Sequence, residues 1–357
     1  MSQNVFVYDP TAADELSKVR GIGRYLQILK ENFPEWKFTS DVILEQSDRI
    51  LLSEKPDVFI NPFFNFLTRP VVTKRIAKNQ IAVIHDLIPL KYPEHFPAGI
   101  KGGLHIFANK LALKNYDTIV TDSEASKQDI INILNVDEQK VEIIYPCVPK
   151  IFIEHKTWNM EQSMKQKKTD NNVLRSMLHV SSPHCLYVGD VTWNKNLVNI
   201  AKAIKIANKP CVFVGKSFSR ASNENKWDEE FHEFQQLAKD DKNFIFPGFV
   251  DDASLIALYQ NARINLLLSR DEGFGFSYLE AASVGCPSVL ADIPVLQEIS
   301  AESALYANPE DPQDIAQKVN TLYKDETIWL QCKKDAKKRS EYFSTEKFKE
   351  EFSQLVS

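Results

Sequence analysis

Short apolar runs of strand length return along this chain at intervals filled by helical patterns, and that alternation limits the fold more than any other feature. Residues 5–8, 57–60, 81–84, 118–121 and 141–145 form one set; residues 185–188, 211–214, 244–246, 264–268 and 287–290 form a second. The runs are nearly continuously apolar, which is the pattern of strands buried on both faces of a parallel sheet with helices packed above and below. Between the sets the pattern dissolves from about residue 154 to 182, where Lys165-Gln166-Lys167-Lys168-Thr169-Asp170-Asn171-Asn172 carries no apolar period. A chain of 357 residues also exceeds what one core usually supports. The expectation is an α/β protein of two doubly wound, Rossmann-like domains: residues 1–150, a linker or insertion at 151–183, residues 184–340, and a last helical segment at 341–357.

The second set contains the most informative stretch, Ser269-Arg270-Asp271-Glu272-Gly273-Phe274-Gly275-Phe276-Ser277-Tyr278-Leu279-Glu280. It follows the apolar run 264–268 and precedes small residues at helical spacing, so a strand feeds a glycine loop and the loop opens a helix. Gly273 and Gly275 let the backbone turn and let a ligand approach, and the free N–H groups of the first helical turn favour an anion. Glu272 in the loop and Glu280 in the helix flank that anion site with groups that only accept hydrogen bonds. A ligand with hydroxyls on both sides of its phosphates fits this arrangement, and a nucleotide sugar is such a ligand.

At these residues the chain resembles the GT4-type retaining glycosyltransferases of the GT-B fold, whose mark is a Glu, seven residues, then a Glu beside a Gly-Phe-Gly turn. The resemblance continues through Gly21-Ile22-Gly23-Arg24-Tyr25, Ile84-His85-Asp86-Leu87-Ile88-Pro89-Leu90, Tyr187-Val188-Gly189 with Lys195-Asn196, and Gly248-Phe249-Val250-Asp251-Asp252. It implies an N-terminal acceptor-side domain, a C-terminal nucleotide-sugar domain facing it across a cleft, and a terminal helix crossing back onto the first domain. It also implies that Glu272 contacts the donor sugar, Glu280 the ribose hydroxyls and His85 the sugar near the reacting centre, with Gly273, Phe274, Gly275 and Phe276 forming the phosphate turn. Retention through front-face displacement is implied in the same way. The resemblance of the His-Asp-Leu-Ile-Pro segment to polysaccharide mannosyltransferases makes GDP-mannose the expected donor, and a saccharide or lipid-linked saccharide the expected acceptor.

The remaining candidates follow from position. His85 and Asp86 stand at the carboxyl end of the run 81–84, where open α/β sheets bind ligands; a neutral imidazole there could exchange hydrogen bonds with a sugar hydroxyl, and Asp86 would orient the loop. Gly21 and Gly23 open a helix whose Ile22, Leu26, Leu29 and Phe33 make one buried face. They mark either a ligand-facing loop or a helix start that only packs. Gly189 ends the first strand of the second domain, and Lys195 follows in a strand-to-helix loop suited to a diphosphate contact that offsets charge on a leaving nucleotide. The resembled family often has arginine just after that glycine or just before that lysine, where this chain has Asp190 and Asn194. Lys216, after Val214-Gly215, would replace part of that charge. Lys101, Lys110 and Lys114 accompany Leu104, Ile106, Phe107, Leu111 and Leu113 at helical spacing. The preferred reading is a packed helix with a solvated lysine face; the other is weak contact with an anionic membrane surface or lipid-linked acceptor.

Several classes are set aside. A net charge of −5 argues against a general nucleic-acid binder. No Asp-x-Asp motif and no zinc-type spacing is present, so no metal and no cofactor is expected and Lys195 with helix N-termini would neutralise the diphosphate. Cys147, Cys185, Cys211, Cys286 and Cys332 lack CxxC spacing and read as buried thiols of a reducing compartment. With no signal-like N-terminus and no span-length apolar run, a cytoplasmic protein is expected, at most peripheral at the inner membrane face. Two alternatives stay beside the glycosyltransferase reading. An epimerase or oxidoreductase needs a complete GxGxxG after a strand, and Leu26 takes the third glycine position. A non-catalytic sugar-binding relative would lack the Glu pair or His85.

Overall fold

All the predicted apolar runs become strands in the computed structural model, which describes residues 3–12, 21–40, 56–154, 183–219 and 228–357. The polar run 165–172 lies outside the described residues. The chain divides into two units, Met1–Pro149 with Phe343–Ser357, and Lys150–Tyr342. A short helix, Lys150–Glu154, opens the second unit.

In the first unit β1 (Val5–Tyr8), β2 (Lys37–Thr39), β3 (Val58–Asn61), β4 (Asn79–Val83), β5 (Thr118–Thr121) and β6 (Val141–Ile143) form an all-parallel sheet of order β2-β1-β3-β4-β5-β6. In the second, β7 (Cys185–Val188), β8 (Cys211–Val214), β9 (Phe244–Gly248), β10 (Ile264–Leu267), β11 (Ser288–Ala291) and β12 (Leu305–Ala307) form another, of order β12-β11-β10-β7-β8-β9. The strands missing from the sequence reading, β2 and β12, are both three-residue edge strands, too short to carry an apolar pattern. The central strands β3, β8, β10 and β11 are buried at every residue, as two-sided helix cover requires.

Order within the second sheet fixes its ligand site. The chain runs β7, β8, β9 in one direction, then returns to place β10 on the other side of β7, so Leu266 pairs with Tyr187. Connections leaving β7 and β10 diverge to opposite faces and open a crevice at their carboxyl ends. Those connections are the loop with Lys195 and the loop with Glu272.

The helix Gly21–Asn32 buries Ile22, Leu26 and Leu29 as expected, and Phe33 beyond it stacks on Trp36 with ring centroids 3.8 Å apart. Phe348 and Phe352, on the last helix Thr345–Val356, pack on Phe33 at 6.2 and 6.0 Å. The five cysteines are buried and free. The helix Gly99–Leu113 differs from the packed-helix reading: it buries Gly102, Asn109, Ala112 and Leu113, and leaves Leu104, Phe107 and Leu111 exposed. The polar Asn109 is what holds its inner side, donating to the carbonyls of Phe66, Thr68 and His105. Among the described residues no helix is long and apolar enough to cross a membrane.

His184, just before β7, is buried, and neither ring nitrogen finds a hydrogen-bond partner among the described residues. Burial alone pushes its pKa down to about 4 from 6.5. Because the unfolded chain takes up this proton first, stability should fall as pH drops from about 6.5 toward 4, by at most about 3 kcal/mol from this group. Denaturant titrations should show a smaller acid loss in His184→Leu than in the unmodified protein. An equal loss in both would show that His184 does not set this sensitivity.

Candidate active site

Two loops meet at the crevice between β7 and β10. After β7, a 3-10 turn Trp193–Lys195 ends at Asn196, which adopts a left-handed conformation (φ 59°) and opens the helix Leu197–Ala207. Asn196 is fully buried, and its amide donates to the carbonyls of Leu268 at 3.0 Å and Pro309 at 2.7 Å, tying the turn to the end of β10. Asn194 makes a second tie. Its amide donates to the carbonyl of Asp271 (3.1 Å), its side-chain oxygen accepts from Thr192 (2.8 Å), and its backbone carbonyl accepts from the Arg270 N–H (2.7 Å).

These ties bring Lys195 and Glu272 together. Lys195 Nζ lies 2.5 Å from Glu272 Oε1, which also accepts from Ser269 Oγ at 2.6 Å. Both side chains are largely buried, with 22% and 10% exposure. A lysine read as a phosphate ligand and a glutamate read as a sugar ligand thus form one charge-assisted pair, a contact no spacing rule predicts across 77 residues.

Beyond Glu272 the chain turns at Gly275, whose φ of 113° is closed to other residues and whose position against Leu296 leaves little room for a Cβ. Gly275 caps the helix Phe276–Ser283. The rings of Phe274 and Phe276 contact each other at 5.4 Å. Ser277, in the first turn, buries a hydroxyl with no hydrogen-bond partner among the described residues. Glu280, one turn on, is buried, and Tyr259 Oη donates to its Oε2 at 3.3 Å.

On the β8 side, Gly189 and Gly215 are pressed together: a Cβ on Gly215 would lie 2.2 Å from the Gly189 carbonyl oxygen. This brings Lys216, at the start of the 3-10 turn Lys216–Ser219, beside the end of β7. Asp190 accepts from the Ser217 hydroxyl and from the Val191 N–H, so its charge is spent on holding this turn. Arg270 takes no free position either. It stacks over Trp193 at 5.0 Å, donates to that residue's carbonyl, and pairs with Glu230 and Glu310. Sequence reasoning missed the supporting roles of Ser269, Arg270, Asn196 and Tyr259. The first two stood inside the motif and Asn196 in the segment Lys195-Asn196; nothing pointed to Tyr259.

In the first unit, His85 follows β4 and meets Asp122, one residue past β5: Nδ1 lies 2.6 Å from Asp122 Oδ2, and Nε2 lies 3.0 Å from the Pro62 carbonyl oxygen. Both partners only accept, so an imidazole satisfying both is doubly protonated. Burial opposes that charge, but the Asp122 carboxylate, with Asp86 and the Pro62 carbonyl, outweighs it and raises the His85 pKa. This differs from the neutral imidazole expected from sequence. The reason is Asp122, delivered by a neighbouring strand. Tyr25, in the helix opened by Gly21 and Gly23, meets His85 in a T-shaped contact with ring centroids 4.7 Å apart. Asp86 accepts from the Ile88 N–H and orients the loop. Among the described residues no group of His, Cys, Asp or Glu is placed to hold a metal ion.

Residues 177–339 match the family described as Glycosyl transferases group 1. The second unit carries a group 1 glycosyl transferase domain. The chain is 27% identical to the O-antigen chain mannosyltransferase RfbU of Salmonella typhimurium over 66% of its length and 58% of the relative's. It is 25% identical to the serotype-specific mannosyltransferase WbdA of Escherichia coli over 82% of its length, spanning only 35% of that protein. Among solved structures, Anabaena HepE in complex with UDP-glucose superposes with a TM-score of 0.71 at 17% identity, over 99% of both chains. Sucrose-phosphate synthase of Thermosynechococcus elongatus does so at 0.69 and 15%, over 99% and 98%. The fold is GT-B, two Rossmann-like domains each built on a parallel sheet.

The His85–Asp122 pair carries a sign that can be tested. A raised folded pKa gives stabilisation that is complete below the unfolded value of about 6.5 and is lost as pH rises through the folded value. Asp122→Asn should therefore cost about 2 kcal/mol or more near pH 6 and clearly less near pH 9, read by urea unfolding at both. A cost independent of pH would show that His85 is not the cation in this pair.

Proposed function

We propose that this chain is a retaining glycosyltransferase that moves a hexose, mannose from GDP-mannose as the leading donor, to a saccharide or lipid-linked saccharide, without a metal ion. The carrying observation is the Lys195–Glu272 pair at the crevice between β7 and β10, directly before the helix opened by Gly275. A donor's diphosphate would compete with Glu272 for the Lys195 ammonium. When the donor enters, its phosphates replace the carboxylate at Lys195, and Glu272 is released to accept from the donor sugar's hydroxyls. Lys195, Lys216 and the N–H groups of the helix Phe276–Ser283 then hold the negative charge that grows on the leaving nucleotide. Glu280, steadied by Tyr259, accepts from the ribose hydroxyls. The acceptor hydroxyl attacks from the face the nucleotide leaves, and the departing phosphate oxygen takes its proton. The mannosyltransferase relatives favour a mannose donor, and UDP-glucose, seen bound to HepE, is the competing ligand to measure.

The two glutamates separate in one set of measurements. Glu272→Gln should lower kcat more than it raises KM for the donor, because sugar contacts strengthen as charge develops at the anomeric carbon. It should bind free GDP at least as tightly as the unmodified protein, since a competitor for Lys195 is gone. Glu280→Ala should lose about 1.5 to 3 kcal/mol of affinity for donor and free GDP alike, by calorimetry. Normal turnover in Glu272→Gln, with only a lowered melting temperature, would overturn the assignment.

Metal independence has its own test. Transfer should persist in excess EDTA. Activity that vanishes and returns only with Mn²⁺ or Mg²⁺ would refute it.

A further inference from the structure

The helix Gly99–Leu113 carries a feature that the transfer reaction does not use. Ile100, Leu104, Phe107 and Leu111 are 88%, 64%, 64% and 48% exposed. Their spacings of four, three and four residues put them in one stripe along the helix. Exposed apolar side chains are ordinary when scattered, but four large ones in register over three turns form a patch. Lys101, Lys110 and Lys114 are exposed on the same helix and its C-cap, and no acidic residue occurs between Phe96 and Tyr116. The positive charge is therefore local, in a chain whose net charge is −5.

The opposite side of the helix is fixed. Asn109 donates to the carbonyls of Phe66 and Thr68, His105 Nδ1 lies 3.0 Å from the Leu67 carbonyl oxygen, and Ala112 and Leu113 are buried in the first unit. The apolar stripe is thus presented on a rigid support and does not arise from a frayed end.

We infer that this helix docks on an anionic lipid bilayer, with the Ile100–Leu104–Phe107–Leu111 stripe entering the boundary between headgroups and acyl chains and the lysines meeting lipid phosphates. A basic helix with one apolar face and no acidic residues has the chemistry of such a surface. A second copy of the chain is a poorer occupant, because a two-fold contact through the stripe would set lysines against lysines. The inference goes beyond the reaction proposed above and is read without measuring activity.

Sedimentation with vesicles tests it, using phosphatidylcholine alone and phosphatidylcholine mixed with phosphatidylglycerol at low ionic strength. The protein should sediment with the anionic vesicles and much less with the neutral ones. Neutralising Lys101 or Lys110 to Gln should each weaken partitioning about fivefold. Leu104→Ser with Phe107→Ser should weaken it about tenfold or more, and since both residues are exposed their melting temperature should be unchanged. Absence of binding to anionic vesicles, or binding equal for both vesicle types and all variants, would overturn the inference. So would a serine double variant that changes the mass in light scattering but not vesicle binding, because the stripe would then join two copies of the chain.

Discussion

The contact between Lys195 and Glu272 rests on a single fact of topology: β7 and β10 are neighbours, although two βα units separate them in sequence. If the chain continued past β9 in one direction, the two loops would end on distant strands. The return to the other side of β7 sets them at one crevice, and the hydrogen bonds of Asn194 and Asn196 to the β10 side hold the spacing. A short, largely buried ion pair needs such support, because each charge loses water and regains the loss only if its partner stays in place. Ser269, donating to the same carboxylate oxygen, adds to that support. Arg270 braces the rim through Trp193, Glu230 and Glu310.

How much of this was legible in the sequence depended on whether a feature was local. A central strand buried on both faces must be apolar at every position, so its run is visible by eye; β2 and β12 lie at sheet edges, half covered, and leave no such trace. The strand-loop-helix around Gly275 was legible because its constraint is a backbone turn within a few residues. The pairing of Lys195 with Glu272 was not, since it depends on strand order, and apolar runs do not encode strand order. His85 shows the same limit. Its place at a strand end could be read, but its charge is set by Asp122, a residue beyond a neighbouring strand.

The stretch around Asp190 and Asn194 illustrates how a local departure from a family pattern is absorbed. Arginine at either place would add a cation beside the crevice. Here Asp190 organises the turn after β8 by accepting from Ser217, and Asn194 joins the two loops through neutral hydrogen bonds. The positions thus serve the scaffold, and among the described residues the candidate phosphate cations are Lys195 and, beyond the close contact of Gly189 with Gly215, Lys216, since Arg270 is engaged at the rim.

Fewer cations change what the pair must do. A lysine alone in a dry crevice would be costly to bury, and one permanently neutralised could not help a leaving group. Pairing it with a carboxylate that is needed elsewhere once ligand arrives answers both demands. In the transfer proposed above, a donor's phosphates would replace one anion by another at the ammonium, and the carboxylate would turn to the hydroxyls of the sugar. On this reading the donor's phosphates and sugar are recognised together. A nucleotide without its sugar would still compete with Glu272 for Lys195 but leave the carboxylate only its bond from Ser269, and the intact donor would gain from both ends of the same exchange.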